Sequence, residues 1–289
     1  MNLTSPSQVK AWCIENEFHP NKVLGQNFLI DQNALKAIAD AGLEECGSGA
    51  HVLEIGPGLG VLTEEMLKRG CRVTAIEKDP VLAGRLAEAL GNPPDLTVVA
   101  GDALDVIAQR QKTSMEGVDP LFSHSAVPPF SCMISNLPYQ AGTRILLELV
   151  LMRTIPSMTV LVQTEVAERL AASAGSRTRS LAGVWAQLDY DVKIVRRVSA
   201  SCFWPRPEIG SSVVRLDRHE RNTGLSDEKR RIFHRLTKRA FEHRRKQLGS
   251  IFKNLIQSTA RAEELSNADW IALVQNLTPE DIGTKHERT

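Results

Sequence analysis

The feature that most restricts the possible folds is an alternation along the chain. HVLEI (51–55), RVTAIE (72–77), LTVVAG (96–101), CMISNL (132–137) and MTVLVQ (158–163) are short apolar runs with the length of buried strands. Helix-patterned segments separate or follow them: one from a glycine loop to about Arg69, VLAGRLAEAL (81–90), a stretch from Thr143 to Met152, and TEVAERLAA (164–172). Strands that alternate with helices predict parallel β-α-β units in an open α/β sheet. Two later strands, KIVRRV (193–198) and SVVRLDR (212–218), flank a loop containing Pro205 and Pro207 and are expected side by side at one sheet edge. Asp31 is placed to cap a helix over QNALKAIADAGL. Residues 103–131 show little periodicity and read as an irregular surface excursion. Beyond about residue 220 the pattern turns wholly helical, in DEKRRIFHRLTKRAF, RKQLGSIFKNLI and NADWIALVQNL. The expected domains are 1–220 and 221–289, in keeping with 289 residues at roughly 150 per domain.

The glycine loop lies where such a sheet binds ligands. EIGPGLG places Gly56, Gly58 and Gly60 between the first strand and its helix. Glycines permit a tight turn and a close approach of backbone to ligand, and the helix start beyond offers unpaired N–H groups. The spacing is G-x-G-x-G, not the dinucleotide G-x-G-x-x-G, so no pyrophosphate cradle is required. Glu77 ends the second strand, where a carboxylate can accept hydrogen bonds from both hydroxyls of a ribose. Asp102 follows the third strand; it either accepts from an adenine amino group or caps the next helix.

The most specific chemical signal is Asn136-Leu137-Pro138-Tyr139, at the end of the fourth strand. Pro138 lacks an N–H and fixes φ, which makes a rigid turn at the carboxyl edge of the sheet. The Asn136 side-chain oxygen and a backbone carbonyl of that turn form a pair of acceptors for an exocyclic NH₂. Tyr139 offers a flat face on which a base can stack.

At this point the chain resembles a class I S-adenosylmethionine-dependent methyltransferase acting on an amino nitrogen. More narrowly it resembles the ribosomal RNA adenine N6-dimethyltransferase family, which holds the KsgA/RsmA enzymes, the Erm resistance methyltransferases and eukaryotic relatives. The resemblance runs from about Val23 to Asn254. It is carried by GQNFL (25–29), EIGPGLGVLT (54–63), Glu77, Gly101-Asp102, the N-L-P-Y tetrad and VQTEVAERLAA (162–172). Phe203, Pro205, Pro207, Ile209 and Ser211 match a further F-x-P-x-P-x-I-x-S pattern, and AFEHRRKQL (240–248) matches a C-terminal segment. The chain departs from the family in Gln140-Ala141-Gly142 after the tetrad and in GSRTRS (175–180), which lacks a Tyr-Gly pair.

The resemblance implies a Rossmann-like, mostly parallel seven-stranded sheet with a small all-helical C-terminal domain. It implies S-adenosylmethionine as cofactor, with Asn27, Leu29, Gly56, Glu77, Asp102 and Asn136 toward it. Asn136, Leu137, Pro138 and Tyr139 would serve the transfer, and Tyr139 and Phe203 would sandwich the target base; for Phe203 an ordinary loop anchor is the alternative. The implied substrate is a pair of adjacent adenosines in the 3′-terminal hairpin of 16S rRNA, within the assembling 30S subunit. Erm-type methylation of large-subunit rRNA and a non-catalytic RNA-binding assembly factor are the competing readings. A nicotinamide oxidoreductase is disfavoured by the glycine spacing. Neither cofactor binding nor methyl transfer requires a metal.

Charge agrees once it is read along the chain. Lys and Arg number 35 against 34 Asp and Glu, a net of +1, which excludes a uniformly basic protein. Residues 215–261, however, carry 14 Lys and Arg against 5 Asp and Glu, a net of +9. Arg231, Arg235, Lys238 and Arg239 share a helical stripe, and Arg244, Arg245 and Lys246 follow, so these seven are the candidate contacts to RNA phosphates. The alternative is a solvated helix face. Five scattered cysteines without a C-x-x-C pair predict reduced thiols and no zinc site. The most apolar stretch, ILLELVLM, is short and interrupted by Glu148, so a soluble, cytoplasmic protein is expected, with neither signal peptide nor membrane span; a monomer is the default expectation, the oligomeric state being open.

Overall fold

The protein is described from a computed structural model, which places residues 3–21, 24–113, 130–222, 224–253 and 255–282. In chain order the elements are α1 (Pro6–Glu15), β1 (Phe28–Leu29), α2 (Gln32–Leu43), β2 (His51–Ile55), α3 (Val61–Lys68), β3 (Arg72–Glu77) and α4 (Pro80–Ala89). Next come β4 (Leu96–Ala100), α5 (Ala103–Thr113), β5 (Cys132–Asn136), α6 (Gly142–Met152), β6 (Ser157–Gln163), α7 (Thr164–Ala171) and α8 (Leu181–Asp189). The chain closes with β7 (Tyr190–Val198), β8 (Phe203–Trp204), β9 (Ser211–Arg218), α9 (Asp227–Glu242), α10 (Leu248–Ile251) and α11 (Asn267–Gln275). It divides into two compact units: residues 1–167 with 193–218, and residues 168–192 with 219–289. The second unit thus draws in a segment well before residue 220.

The sheet has seven strands in the order β4-β3-β2-β5-β6-β9-β7, a mostly parallel class I methyltransferase sheet. Neighbours from β4 to β6 are parallel, and β9 runs antiparallel to β6 from Ser157↔Asp217 to Gln163↔Ser211. The central strands β2 and β5 are buried almost throughout, as apolar runs covered on both faces must be. From β2 the chain winds outward through β3 and β4, then returns to start β5 on the other side of β2. Strand order reverses there, and α/β sheets bind ligands in the crevice that such a reversal opens at the carboxyl ends. Helix α2 packs on β5, β6 and β9, while α4 packs on β3 and β4. As expected, Asp31 caps α2, its carboxylate accepting from the Ala34 N–H at 2.7 Å.

Two stretches differ from expectation. Residues 103–113 are helical, started by Asp102, whose Oδ1 accepts from the Leu104 N–H at 2.9 Å. Their buried Ala103 and Ile107 are too few to announce an amphipathic period. The rest of the expected excursion, residues 114–129, lies outside the described residues. Helix α8 has Gly183 in its interior, which weakens any helical signal. A Cβ there would come within 2.4 Å of the Arg169 carbonyl oxygen, so the glycine lets α8 lie against the end of α7.

The second unit has its own core, in which Trp270, Phe233, Leu236 and Val274 on α9 and α11 pack with Val184 and Leu188 of α8. Ser226 and Ser266 cap α9 and α11. Among the described residues of RKQLGSIFKNLI, the helix is the single turn of α10. Among the described residues, no helix is long and apolar enough to cross a membrane.

Candidate functional site

At the carboxyl edge of the sheet, around the strand reversal, lies a cavity of about 450 Å³. The N-terminal segment, the glycine loop, the ends of β3, β4 and β5, and the start of α6 line it. Asn27, Leu29, Gly56, Glu77, Asp102, Asn136, Leu137, Pro138 and Tyr139 all take part. Nine of the ten residues proposed from sequence for cofactor or transfer therefore converge on one space.

Phe203 is the exception. It pairs with Leu29 in the two-stranded β1–β8 ladder and is 2 % exposed, packed in the core with Leu29, Leu35 and Val198. Buried there and not part of the cavity lining, it fits the loop-anchor alternative rather than the place beside Tyr139.

The acidic partner of the glycine loop is held by backbone. One Glu77 oxygen accepts from the Gly58 N–H at 3.1 Å, and the other from the Asp79 N–H at 2.8 Å. A carboxylate offers about four acceptor positions, so capacity remains for a ligand. Burial pushes the Glu77 carboxyl upward in pKa, and the backbone donors oppose the shift. Gly58 sits at φ +59, and a side chain there would press on the Phe28 ring at 3.1 Å. Only glycine both adopts that backbone and lets Phe28 close down on the loop.

Other bonds fasten the GQNFL segment across the crevice. Gln26 donates to Asp79 at 2.9 Å and accepts from the Asn21 N–H at 2.7 Å. Gly25, at φ +68, approaches the tetrad so closely that a Cβ would lie 3.1 Å from the Tyr139 nitrogen. Asn136 Nδ2 donates to the Asn27 carbonyl at 3.1 Å, which fixes the amide orientation. Its Oδ1 is then buried with no hydrogen-bond partner among the described residues. An orphaned buried acceptor costs about 1–3 kcal/mol, so the site is built around a donor that arrives with a ligand.

In the tetrad's turn, the Pro138 carbonyl accepts from the Gly142 N–H at 2.7 Å, so that carbonyl is already engaged. Tyr139 is half-buried, and its hydroxyl lies 2.6 Å from Ser211 Oγ. Burial raises the phenol pKa, and the Ser211 hydrogen bond pulls it the other way. Asp102 both caps α5 and pairs with Lys78 at 2.7 Å. The Lys78 ammonium holds the Asp102 carboxyl below the usual carboxylate range.

Glu54 lines the same cavity and received no role from sequence. It is 1 % exposed and accepts from Thr63 Oγ1 at 2.6 Å. Burial pushes its carboxyl up to about 8; the Thr63 hydrogen bond opposes the shift and the Glu77 charge adds to it. Its sequence signals are a carboxylate inside a mostly apolar strand and its place at the head of EIGPGLGVLT, neither of which assigns it a role. The pH consequence follows by linkage. A carboxyl whose folded pKa exceeds its unfolded value stabilises the fold fully below the unfolded value, and that stability is lost as pH rises through the folded one. Glu54 therefore weakens the fold progressively between the ordinary glutamate value of 4.5 and about 8. Glu54→Gln should flatten the decline of urea-unfolding free energy across that window; a decline as steep as in the parent chain would exclude Glu54 as its source.

Most of the seven candidate phosphate contacts lie on the surface. Arg231, Arg235, Lys238, Arg239, Arg245 and Lys246 are exposed, although the Arg239 guanidinium also rests over the Phe252 ring at 5.5 Å. Arg244 differs: it donates to the Arg177 carbonyl at 2.5 Å and reaches Glu263 at 3.5 Å, so it is part-buried and committed to holding its own unit together.

Comparison with known proteins agrees with this geometry. A family model described as ribosomal RNA adenine dimethylase matches residues 17–287. The ribosomal RNA small subunit methyltransferase A of Deinococcus radiodurans is 45% identical over 215 residues, covering 74% of this chain and 67% of the relative. The protein of the same name in Sphingopyxis alaskensis is 36% identical over 276 residues, covering 89% and 94%. Among solved structures, a dimethyladenosine transferase from Plasmodium falciparum matches with a TM-score of 0.68 at 22% identity, over 85% of this chain and 95% of that one. The 23S rRNA methyltransferase ErmE gives 0.64 at 22% identity, over 86% and 98%; at such identity both bear on the fold alone. With a family model spanning nearly its whole length and curated relatives above 30% identity, the chain belongs to the ribosomal RNA adenine dimethylase family.

Proposed function

We propose that this protein is an S-adenosylmethionine-dependent dimethyltransferase of small-subunit rRNA. It methylates the N6 amino groups of two adjacent adenosines in the 3′-terminal hairpin of 16S rRNA, on the assembling 30S subunit, acting as a cytoplasmic monomer. The observation that carries this reading is the orphaned Asn136 Oδ1, aimed by the Asn27 carbonyl in a cavity beside a glycine loop. The small-subunit assignment draws on the printed names of the relatives at 45% and 36% identity.

The residues present fit the cofactor. Glu77 has acceptor capacity left for ribose hydroxyls, and Asp102 is an ionised acceptor suited to an adenine amino group. Gly56 leaves its side of the cavity open for the methionine portion; among the described residues a Cβ there would meet only the Pro138 ring, at 3.7 Å. Asn27 and Leu29 would close the site from the N-terminal segment. When bound, S-adenosylmethionine supplies an electrophilic methyl carbon on a sulfonium.

The protein's own task is orientation. The adenine N6 lone pair is delocalised into the ring and is a poor nucleophile. Asn136 Oδ1 and the Leu137 carbonyl accept the two N6 protons and so set the nitrogen's direction. Pro138 keeps the two acceptors in one rigid turn. Tyr139 stacks on the flipped base, a contact worth about 1–3 kcal/mol. Flipping itself costs a few kcal/mol, least for an unpaired loop base. Alignment of this kind supplies much of the acceleration when no strong base is needed.

The deciding experiment is transfer of labelled methyl groups to unmethylated small and large subunits in parallel, with the labelled adenines mapped. Label confined to two adjacent adenosines of the small subunit is expected. Label on the large subunit would move the chain to the Erm-type reading, and cofactor binding without transfer would make it an assembly factor.

RNA affinity should rest on the exposed stripe. The double variant Arg235→Glu, Lys238→Glu should bind small-subunit rRNA more weakly and with a shallower salt dependence, each lost phosphate contact removing about 0.9 from the log–log slope. Thermal unfolding should stay unchanged. A slope equal to that of the parent protein would return the stripe to a merely solvated face.

A further inference from the structure

The F-x-P-x-P-x-I-x-S pattern ends at Ser211, a residue that the chemistry above does not use. Ser211 is fully buried, 0 % exposed, at the start of β9. Its place is set by the antiparallel ladder, where it faces Gln163 at the end of seven paired positions. The Thr164 N–H donates to the Gly210 carbonyl at 3.0 Å, and the Thr164 and Ser212 hydroxyls meet at 3.1 Å. These bonds close the end of the ladder. Ser211 Oγ is therefore held by a paired and buried strand end.

Tyr139, by contrast, stands in the turn between β5 and α6. Gly25 packs against its backbone nitrogen. At the far end of the ring, the hydroxyl meets Ser211 Oγ at 2.6 Å. A tyrosine held at both ends loses its freedom to swing about χ1 and χ2, and it does so before any base arrives.

We propose that Ser211 is a positioning residue for methyl transfer. It holds the Tyr139 ring in place for the target adenine by bonding its hydroxyl, without itself touching substrate or cofactor. This inference rests on the reading of Tyr139 as the stacking surface. It assigns the tyrosine hydroxyl a tethering role and gives Ser211 a reason to stand where β9 begins.

The chain contains two tyrosines, Tyr139 and Tyr190, so the protein labelled with [ζ-¹³C]tyrosine gives two signals, and Tyr139→Phe identifies the relevant one. Ser211→Ala should shift the Tyr139 signal and leave that of Tyr190 in place. Turnover on saturating unmethylated small subunits should fall about tenfold, as expected for a misplaced reacting partner. The KM for subunits and the Kd for cofactor should stay within about twofold, because neither depends on the ring's fine position. Ser211→Thr should restore both signal and turnover. Tyr139→Phe, which removes the same bond without touching β9, should match Ser211→Ala, and the double variant should be no worse than either.

A moved signal with turnover unchanged in both single variants would overturn the inference and leave the bond a packing detail. A loss in Ser211→Ala that Tyr139→Phe does not share would overturn it too, pointing to β9 rather than the tether. Normal turnover of Tyr139→Ala would instead sink the stacking reading beneath it, so the two failures are distinguishable.

Discussion

Asn136→Ala should lower kcat on unmethylated small subunits by roughly 10²–10³-fold, the scale seen when one preorganised hydrogen-bonding group is removed from a reaction centre. Cofactor should still bind, because Glu77, Asp102 and the glycine loop are untouched. The size of the effect comes from the geometry of the amide. Its Nδ2 is spent on the Asn27 carbonyl at 3.1 Å, and its Oδ1 is left buried and unpaired. The Asn27 contact aligns the acceptor in advance. Asn136→Asp separates acceptor from alignment. A carboxylate still accepts protons, but one of its oxygens would face the Asn27 carbonyl across the distance now bridged by a hydrogen bond. Repulsion would turn the group away, and activity should fall nearly as far as in the alanine variant. Near-normal turnover of Asn136→Ala, measured as labelled methyl incorporation with cofactor affinity taken by calorimetry, would remove Asn136 from the mechanism.

What could be read from sequence, and what could not, divides along a physical line. The glycine loop, Glu77, Asp102 and the N-L-P-Y turn were legible because each depends on local backbone geometry at a strand end. Alternating strands and helices place all such ends on one edge of a sheet. Phe203 lies outside that rule, because its place is set by pairing with Leu29, far away in sequence. Gln26 carries no chemistry of its own; its part appears only when Asp79 is seen to receive it. Asp102 caps α5 with one oxygen, as local pattern predicts, and meets Lys78 with the other, a partner no local pattern announces. Glu54 shows the same limit: a lone carboxylate in a strand does not reveal its neighbours, and its raised pKa arises from burial, which only the packed sheet supplies. Charge was the least legible of all. A run of cations has a net value in sequence, but each one's freedom is a tertiary property.

Neighbouring residues Arg230 and Arg231 make that last point testable. Arg230 is 6 % exposed and grips Asp189 with two bonds of 2.8 and 2.7 Å from one guanidinium nitrogen. It also donates to the Leu225 and Asn222 carbonyls. Lys229 similarly spends its ammonium on the carbonyls of Val274, Gln275 and Leu277, at and just beyond the end of α11, where a cation also complements the helix dipole. Neither has a charge to spare for phosphate. Arg231 points to solvent. Removing one member of a buried ion pair strands the other and costs about 3–5 kcal/mol, so Arg230→Met should destabilise the second unit on that scale, as should Asp189→Asn. Trp270, buried in the same unit, should report the loss as an earlier fluorescence transition in urea. Arg231→Met should move that transition by no more than about 0.5 kcal/mol and instead take about 0.9 from the slope of log affinity against log salt. The two substitutions are chemically identical and one residue apart. Equal effects on unfolding would show that the basic segment is a single solvated face, with neither arginine committed to the core.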